Sequence, residues 1–246
     1  MKAIKILHMY SNILDLYGDS GNMEVLKYRC KMRNIDCVIE YHSLGTENTD
    51  FSKYDLIYLG GGADFEQQLL GDDLQKCKKG IVTAYKNGTF LLLICGGYQL
   101  MGQYYIDSNK AKIPGLGLFD YYTVASSDKN KRCIGNIIVE AELDGKKTRV
   151  IGFENHGGQT SGVKSPFGKV LFGNGNCFND ESEGYFEKNV VATYLHGPLL
   201  SKNPELADYI IGYCINRGND EKIKLAKLND ELEIQCRQVM FDRLLK

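Results

Sequence analysis

Apolar residues fall in short, regularly interrupted runs through the first half of the chain. Residues 3–9 (AIKILHM) form a run of strand length. In residues 22–33 (NMEVLKYRCKMR) the period changes. Met23, Leu26 and Cys30 recur at three- and four-residue spacing, which predicts a helix. Residues 37–41 give a second strand and 54–59 (YDLIYL) a third, which runs into Gly60-Gly61-Gly62. Segments 64–70 and 74–87 read as helices, with Gly88 where a C-cap belongs. Residues 90–94 (FLLLI) are apolar without a break, as a strand covered on both faces requires. A helix over 98–104 follows. Strands alternating with helices predict a parallel sheet with helices on its faces.

Beyond residue 130 the texture changes. Residues 135–143, the pair Asp144-Gly145 and residues 146–153 read as a β-hairpin with a type I′ turn. Strands over 169–172 and 190–195 and helices over 204–217 and 230–245 complete the chain, and 126–131 is an exposed loop. There is no internal repeat, low-complexity tract or linker. The 246 residues therefore read as one domain over 1–246. Its class is α/β: a mostly parallel sheet flanked by helices, with an antiparallel extension.

Composition narrows the function. Hydrophobic residues make up 43%, enough for a substantial core. Thirty basic against 31 acidic residues leave a net charge of −1, which gives no reason to expect nucleic acid or an anionic membrane as a partner. No apolar run approaches the ~20 residues that span a bilayer. The first run soon meets His8 and Asn12, so it reads as a strand rather than a signal peptide. A soluble, cytoplasmic protein without membrane insertion is expected. None of the eight cysteines has C-x-x-C spacing, so no metal site is predicted, and a disulfide framework is not expected. Most of these cysteines read as inert thiols.

Cys95 departs from that default. It follows FLLLI and precedes Gly96-Gly97 at the start of a helical segment. A strand that turns sharply into a helix lifts the side chain at the turn out of the sheet, and glycines after it remove bulk. The N-terminus of the helix favours the thiolate, and the next backbone N–H can bind an oxyanion. Leu93 stands two positions earlier, where nucleophile elbows usually carry a small residue. A cysteine nucleophile needs a base, and there are four histidines. His8, in the first strand, and His42, after the second, read as structural or surface residues. His156 and His196 both stand at strand ends followed by glycine, where α/β proteins place their chemistry. Spacing does not choose between these two.

The segment LLLICGGYQLMG resembles the nucleophile segment of class I glutamine amidotransferases, in the branch of the cobyric acid synthase amidotransferases. ATYLHGPLL resembles that branch's catalytic histidine strand. LYGDSGN (residues 16–22), LGGGADFEQ and GFENHGG are similar as well, so the likeness runs from residue 16 to about residue 200. Within the branch, the chain resembles most the GatD-like glutaminase subunits of lipid II isoglutaminyl synthase. The resemblance implies that Cys95 attacks glutamine and that His196 is its base. Gly96 and the loop holding Gly61 and Gly62 would supply oxyanion N–H groups, and Arg132 would hold the glutamine carboxylate. Gln99 is placed with the substrate pocket, where it and Tyr98 support the elbow, and His156 belongs to the rim.

Many class I amidotransferases carry a glutamate two residues after the histidine, where this chain has Pro198. The site is thus a dyad, or an acid comes from elsewhere, from Glu154 or from a partner. There is no G-x-x-x-x-G-K-[ST] phosphate loop and no G-x-G-x-x-G. No cofactor is expected on this chain. ATP and Mg are expected on a Mur-ligase-like (MurT-like) synthetase subunit that uses the ammonia, in a heterodimer. The alternatives are a glutaminase serving another synthetase, such as a cobyrinate-type one, a non-catalytic binding module, and a different cysteine hydrolase.

Overall fold

The computed structural model describes residues 3–219 and 221–246. FLLLI forms strand β4 (Phe90–Ile94) with all five side chains buried. Each such leucine contributes about 1.5–3 kcal/mol through burial alone. Strands β1 (Ile4–Met9), β2 (Cys37–His42), β3 (Leu56–Leu59) and Val190–Thr193 run parallel in the same sheet. The order is Tyr185–Glu187, Val190–Thr193, β4, β3, β1, β2, and only Tyr185–Glu187 is antiparallel. Leu59 lies beside Leu93, and Thr193 beside Ile94. Three neighbouring strands therefore end at nearly the same height, and the segments after them converge at the carboxyl edge of the sheet. Ligands bind at this edge in α/β sheets.

Helices α1 (Gly21–Lys31), α2 (Asp64–Lys86), α3 (Gly96–Met101), α4 (Leu199–Lys202), α5 (Pro204–Asn216) and α6 (Glu231–Leu244) complete the layers. The two helices expected over 64–70 and 74–87 are one. Leu70, Leu74, Cys77, Ile81 and Ala84 form a single buried stripe through Gly71. Its packing outweighs the ~1 kcal/mol that a mid-helix glycine costs. The helix expected over 98–104 starts earlier, directly after Cys95. It stops at Met101 because the chain enters a further strand, Tyr104–Ile106.

The extension consists of two four-stranded sheets, antiparallel throughout except that Tyr104–Ile106 and Tyr122–Ala125 pair in parallel. One is built on the hairpin Cys133–Leu143 and Lys146–His156, whose turn residues Asp144 (φ 49°) and Gly145 (φ 75°) have the positive φ that a type I′ turn needs. The other contains Lys112–Pro114, Tyr104–Ile106, Tyr122–Ala125 and Gly158–Ser161. These strands of three or four residues are too short to show a period. The hairpin docks on the parallel sheet through Phe153 and His196, which exchange N–H···O bonds of 2.8 and 3.1 Å. A Cβ on Gly152 would lie 2.6 Å from that of Leu195, so only glycine permits this approach. No described helix is long and apolar enough to cross a membrane.

Candidate active site

Cys95 sits between β4 and α3 with φ 49° and ψ −101°, a conformation that costs a non-glycine residue about 1–3 kcal/mol. Three hydrogen bonds hold it. The Cys95 N–H donates to the Thr193 carbonyl (2.8 Å), the Gln99 N–H donates to the Cys95 carbonyl (2.9 Å), and the Gly97 N–H donates to the Gly60 carbonyl (3.1 Å). A Cβ on Gly97 would fall 2.4 Å from the Leu59 carbonyl oxygen, so the turn needs glycine there. Leu93, bulky for its place in an elbow, is fully buried in the core.

His196 follows the neighbouring strand Val190–Thr193 and is fully buried. Its Nδ1 lies 2.7 Å from Oδ2 of Asp19, which is equally buried. Asp19 lies 177 residues away in sequence, at the end of the 3-10 turn Leu16–Gly18 that follows β1. That turn is held by Tyr17 (φ 58°) and Gly18 (φ 70°), by the Asp19 N–H donating to the Leu16 carbonyl, and by the Tyr58 hydroxyl donating to the Asp19 carbonyl at 2.8 Å. The acid missing at Pro198 is thus supplied by another element of the same chain. Pro198 instead packs against Gly21 at the start of α1, where a Cβ would meet the proline Cγ at 2.4 Å. Leu200 donates its N–H to Asn22 Oδ1 (2.9 Å), which ties the residues after His196 to the helix after Asp19.

With Nδ1 engaged by Asp19, the buried Nε2 of His196 has no hydrogen-bond partner. It is left for Cys95, whose charge couples to the ring. Burial alone would lower the His196 pKa. The charge at Cys95 and the hydrogen bond and charge of Asp19 outweigh it and push the pKa up to about 10. A Cβ on Gly61 would lie 2.8 Å from His196 Cε1, 3.2 Å from Asp19 Oδ2 and 3.4 Å from Cys95 Cβ. The triple glycine therefore fills the space where all three meet. A Cβ on Gly96 would lie 3.0 Å from the Gly62 nitrogen. The backbones of Gly62 and Gly96 thus lie against each other beside Cys95.

The remaining predicted residues divide into rim and support. Arg132 is exposed, and its Nε donates to Asn155 Oδ1 at 2.9 Å. Asn155 in turn donates to the Tyr17 hydroxyl, and the Tyr17 ring meets the His196 ring edge-on with centroids 4.8 Å apart. Gln99 lies buried behind the elbow. Its Oε1 accepts from Gln67 (2.9 Å) and its Nε2 donates to the Tyr194 hydroxyl (3.2 Å). Gln67 also donates to the Gly62 carbonyl at 3.1 Å, so this pair sets the glycine loop against α3. Tyr98 is buried on the same side, donating to Asn176 Oδ1. Glu154 does not reach His196. Its carboxylate accepts three N–H groups from Asn174 and Gly175 and lies 3.8 Å from His156 Nε2. Sequence reasoning singled out LYGDSGN without singling out Asp19; the one acidic side chain between its two glycines and a helix start was the available signal.

The chain is 40% identical to the lipid II isoglutaminyl synthase (glutamine-hydrolyzing) subunit GatD of Staphylococcus aureus, over 99% of this chain and 97% of that one. It is 38% identical to the subunit of the same name in Streptococcus pneumoniae, over 93% and 87%. A probable cobyric acid synthase of Methanococcus maripaludis is 30% identical over 77% of this chain, but only 38% of that protein is covered. A solved glutamine amidotransferase shares the fold with a TM-score of 0.56 at 12% identity, covering 85% of this chain and 98% of that one. The family model of the CobB/CobQ-like glutamine amidotransferase domain matches residues 5–204, and the chain belongs to that family.

Proposed function

We propose that this chain is the glutaminase subunit of a two-part, glutamine-dependent ligase. Cys95 attacks the side-chain amide carbon of L-glutamine, and the oxygen becomes an oxyanion between the N–H groups of Gly96 and the Gly61–Gly62 loop. The imidazolium of His196 gives its proton to the amide nitrogen, which leaves as ammonia and a thioester remains. His196, now neutral, takes a proton from water as that water attacks the thioester. The thioester C–S bond then breaks, Cys95 leaves as the thiolate beside the re-formed imidazolium, and the product carboxyl gives its remaining proton to ammonia or solvent as glutamate departs. Asp19 holds the imidazole tautomer and stabilises the charged ring throughout. Arg132 receives the substrate carboxylate at the rim.

The observation that carries this reading is the convergence of Cys95, His196 and Asp19 at three segment ends, in a chain spanning 97% of a relative named as a glutamine-hydrolysing subunit. The names of the same relatives support an acceptor in lipid II. Ammonia passes to a Mur-ligase-like, MurT-like partner that activates the α-carboxyl of D-glutamate in the lipid II stem peptide with ATP and Mg, giving D-isoglutamine for peptidoglycan. The pair works as a heterodimer in the cytoplasm, where ATP is found. The test is glutamate release by the chain with its co-purified partner. Cys95→Ala should abolish it, and the glutamine mimic 6-diazo-5-oxo-norleucine should label Cys95. Undiminished release by Cys95→Ala would remove the thioester from the mechanism. Co-purification with a synthetase of another class would replace the acceptor.

A further inference from the structure

His42 is the last residue of edge strand β2, and Asp73 and Cys77 lie four residues apart on one face of α2. The three side chains meet at the floor of a cavity of about 390 Å³ whose lining also includes Thr46, Asn48 and Lys76. His42 Nε2 lies 3.5 Å from Cys77 Sγ and 3.7 Å from Asp73 Oδ2, and the ligating atoms of all three lie within 4.8 Å of one another. Tetrahedral coordination with bonds of roughly 2.0 Å to N or O and roughly 2.3 Å to S sets ligand-to-ligand edges of about 3.3–3.6 Å. The two distances from His42 thus approach what a zinc-class ion requires, without movement of the backbone.

From this geometry we propose that His42, Asp73 and Cys77 form a binding site for a divalent first-row metal ion of the zinc class, with its fourth position open to the cavity. The surrounding contacts fit that role. His42 Nδ1 is 2.8 Å from the Thr49 hydroxyl, which turns Nε2 toward Cys77 and Asp73. Asp73 Oδ2 accepts from the Tyr10 hydroxyl (2.9 Å), and Oδ1 accepts from the Gly45 N–H (3.2 Å), which orients the carboxylate. Lys76 Nζ approaches only Oδ1, at 3.9 Å, and leaves the oxygen that faces His42. Binding would release the Cys77 proton and form a metal–thiolate bond. The ion would pin the end of β2 and the 45–49 turn to α2, whose first residue lies two positions after Gly62. The sequence conceals such a site, because two of its ligands are spaced D-x-x-x-C on a helix and the third lies 31 residues before Asp73.

Cobalt(II) titrated into the metal-free full chain tests this. One equivalent should bind, give a thiolate-to-cobalt charge-transfer absorption, yield to zinc, and raise the thermal midpoint. Cys77→Ser and His42→Gln should lose the band. Thr49→Val, which keeps all three ligands, should weaken binding about ten- to a hundred-fold. Cys95→Ser and Cys133→Ser should leave the band in place. Cys133 serves as the internal control, because Cys133, Glu154 and His156 form a second buried trio of similar spacing. The proposal falls if the wild-type chain gives no band. It also falls if the band survives Cys77→Ser or disappears with Cys95→Ser or Cys133→Ser.

Discussion

His156 ends a strand and His196 follows one by three residues; both are buried, and both place Nδ1 2.7 Å from an oxygen. Both leave Nε2 without a hydrogen-bond partner. They differ in what the oxygens belong to. His156 Nδ1 faces the neutral Gly158 carbonyl, which fixes a tautomer, and its ring stacks on Tyr194 with centroids 3.6 Å apart. The carboxylate near it, Glu154, lies 3.8 Å from Nε2 and accepts hydrogen bonds from Asn174 and Gly175 instead. His196 faces the carboxylate of Asp19 across the ring from Cys95, and the two together hold its proton. In the proposed mechanism His196 is the base because of its two neighbours rather than its own burial or position. This is why sequence spacing left the two equal.

The sharpest way to break the comparison is to give His196 the neutral partner that His156 has. Asp19→Asn keeps the size of the side chain but removes the charge and allows the wrong tautomer. It should lower kcat by on the order of 10³–10⁴-fold with the fold intact by circular dichroism. A loss under tenfold would mean that the site works as a Cys95–His196 dyad, or that a partner supplies the acid. The same contact has a pH signature. The His196 pKa is raised from an ordinary 6.5 to about 10, so its contribution to stability is complete below 6.5 and is lost as the pH rises through about 10. The excess thermal stability of wild type over His196→Gln should shrink across that window, and a constant difference would contradict the raised pKa.

Next in size is Gly61→Ala. The new methyl would sit 2.8 Å from His196 Cε1 and must move the ring or the loop. A misplacement near 1 Å costs about 10²-fold in rate. Wild-type kcat in this variant would show that the three groups do not converge there. Arg132→Ala should act on binding rather than chemistry. It should raise KM for glutamine about 10- to 100-fold at nearly constant kcat, with Arg132→Lys restoring only part. An unchanged KM would leave Arg132 as a rim residue bonded to Asn155 and nothing more.

How much of this was legible follows the range of the interactions. FLLLI, the triple glycine and the Asp144-Gly145 turn declare themselves within a few residues, because burial on two faces and positive φ act locally. Cys95 was legible as an elbow for the same reason. α2 was read as two helices because Gly71 is a local breaker, while the stripe from Leu70 to Ala84 that overrides it gains its energy from the sheet beneath. Asp19 was not legible as the partner of His196, since only the sheet order from Val190–Thr193 through β4 and β3 to β1, and the turn after β1, bring it across 177 residues. The absent acid at position 198 was legible, and the fold answers it with Pro198 packed on Gly21 beside the segment that carries Asp19.

The smallest effect belongs to the other histidine. His156→Gln removes the stack on Tyr194 and the contact with Glu154, at a cost of about 1 kcal/mol, which lowers the thermal midpoint of a chain this size by roughly 2–4 °C. Its kcat should stay within about threefold of wild type. Tyr194 keeps its bonds to Gln99 and Thr160, so the elbow above it should not shift. A loss on the scale of Asp19→Asn would dissolve the contrast between the two histidines. It would mean that the pair Glu154–His156, although bonded within the antiparallel extension, acts on Cys95 through Tyr194 and Gln99. A drop in stability with kcat preserved would instead fix the division: one histidine holds a proton for the reaction, and the other holds the hairpin to the strand that carries it.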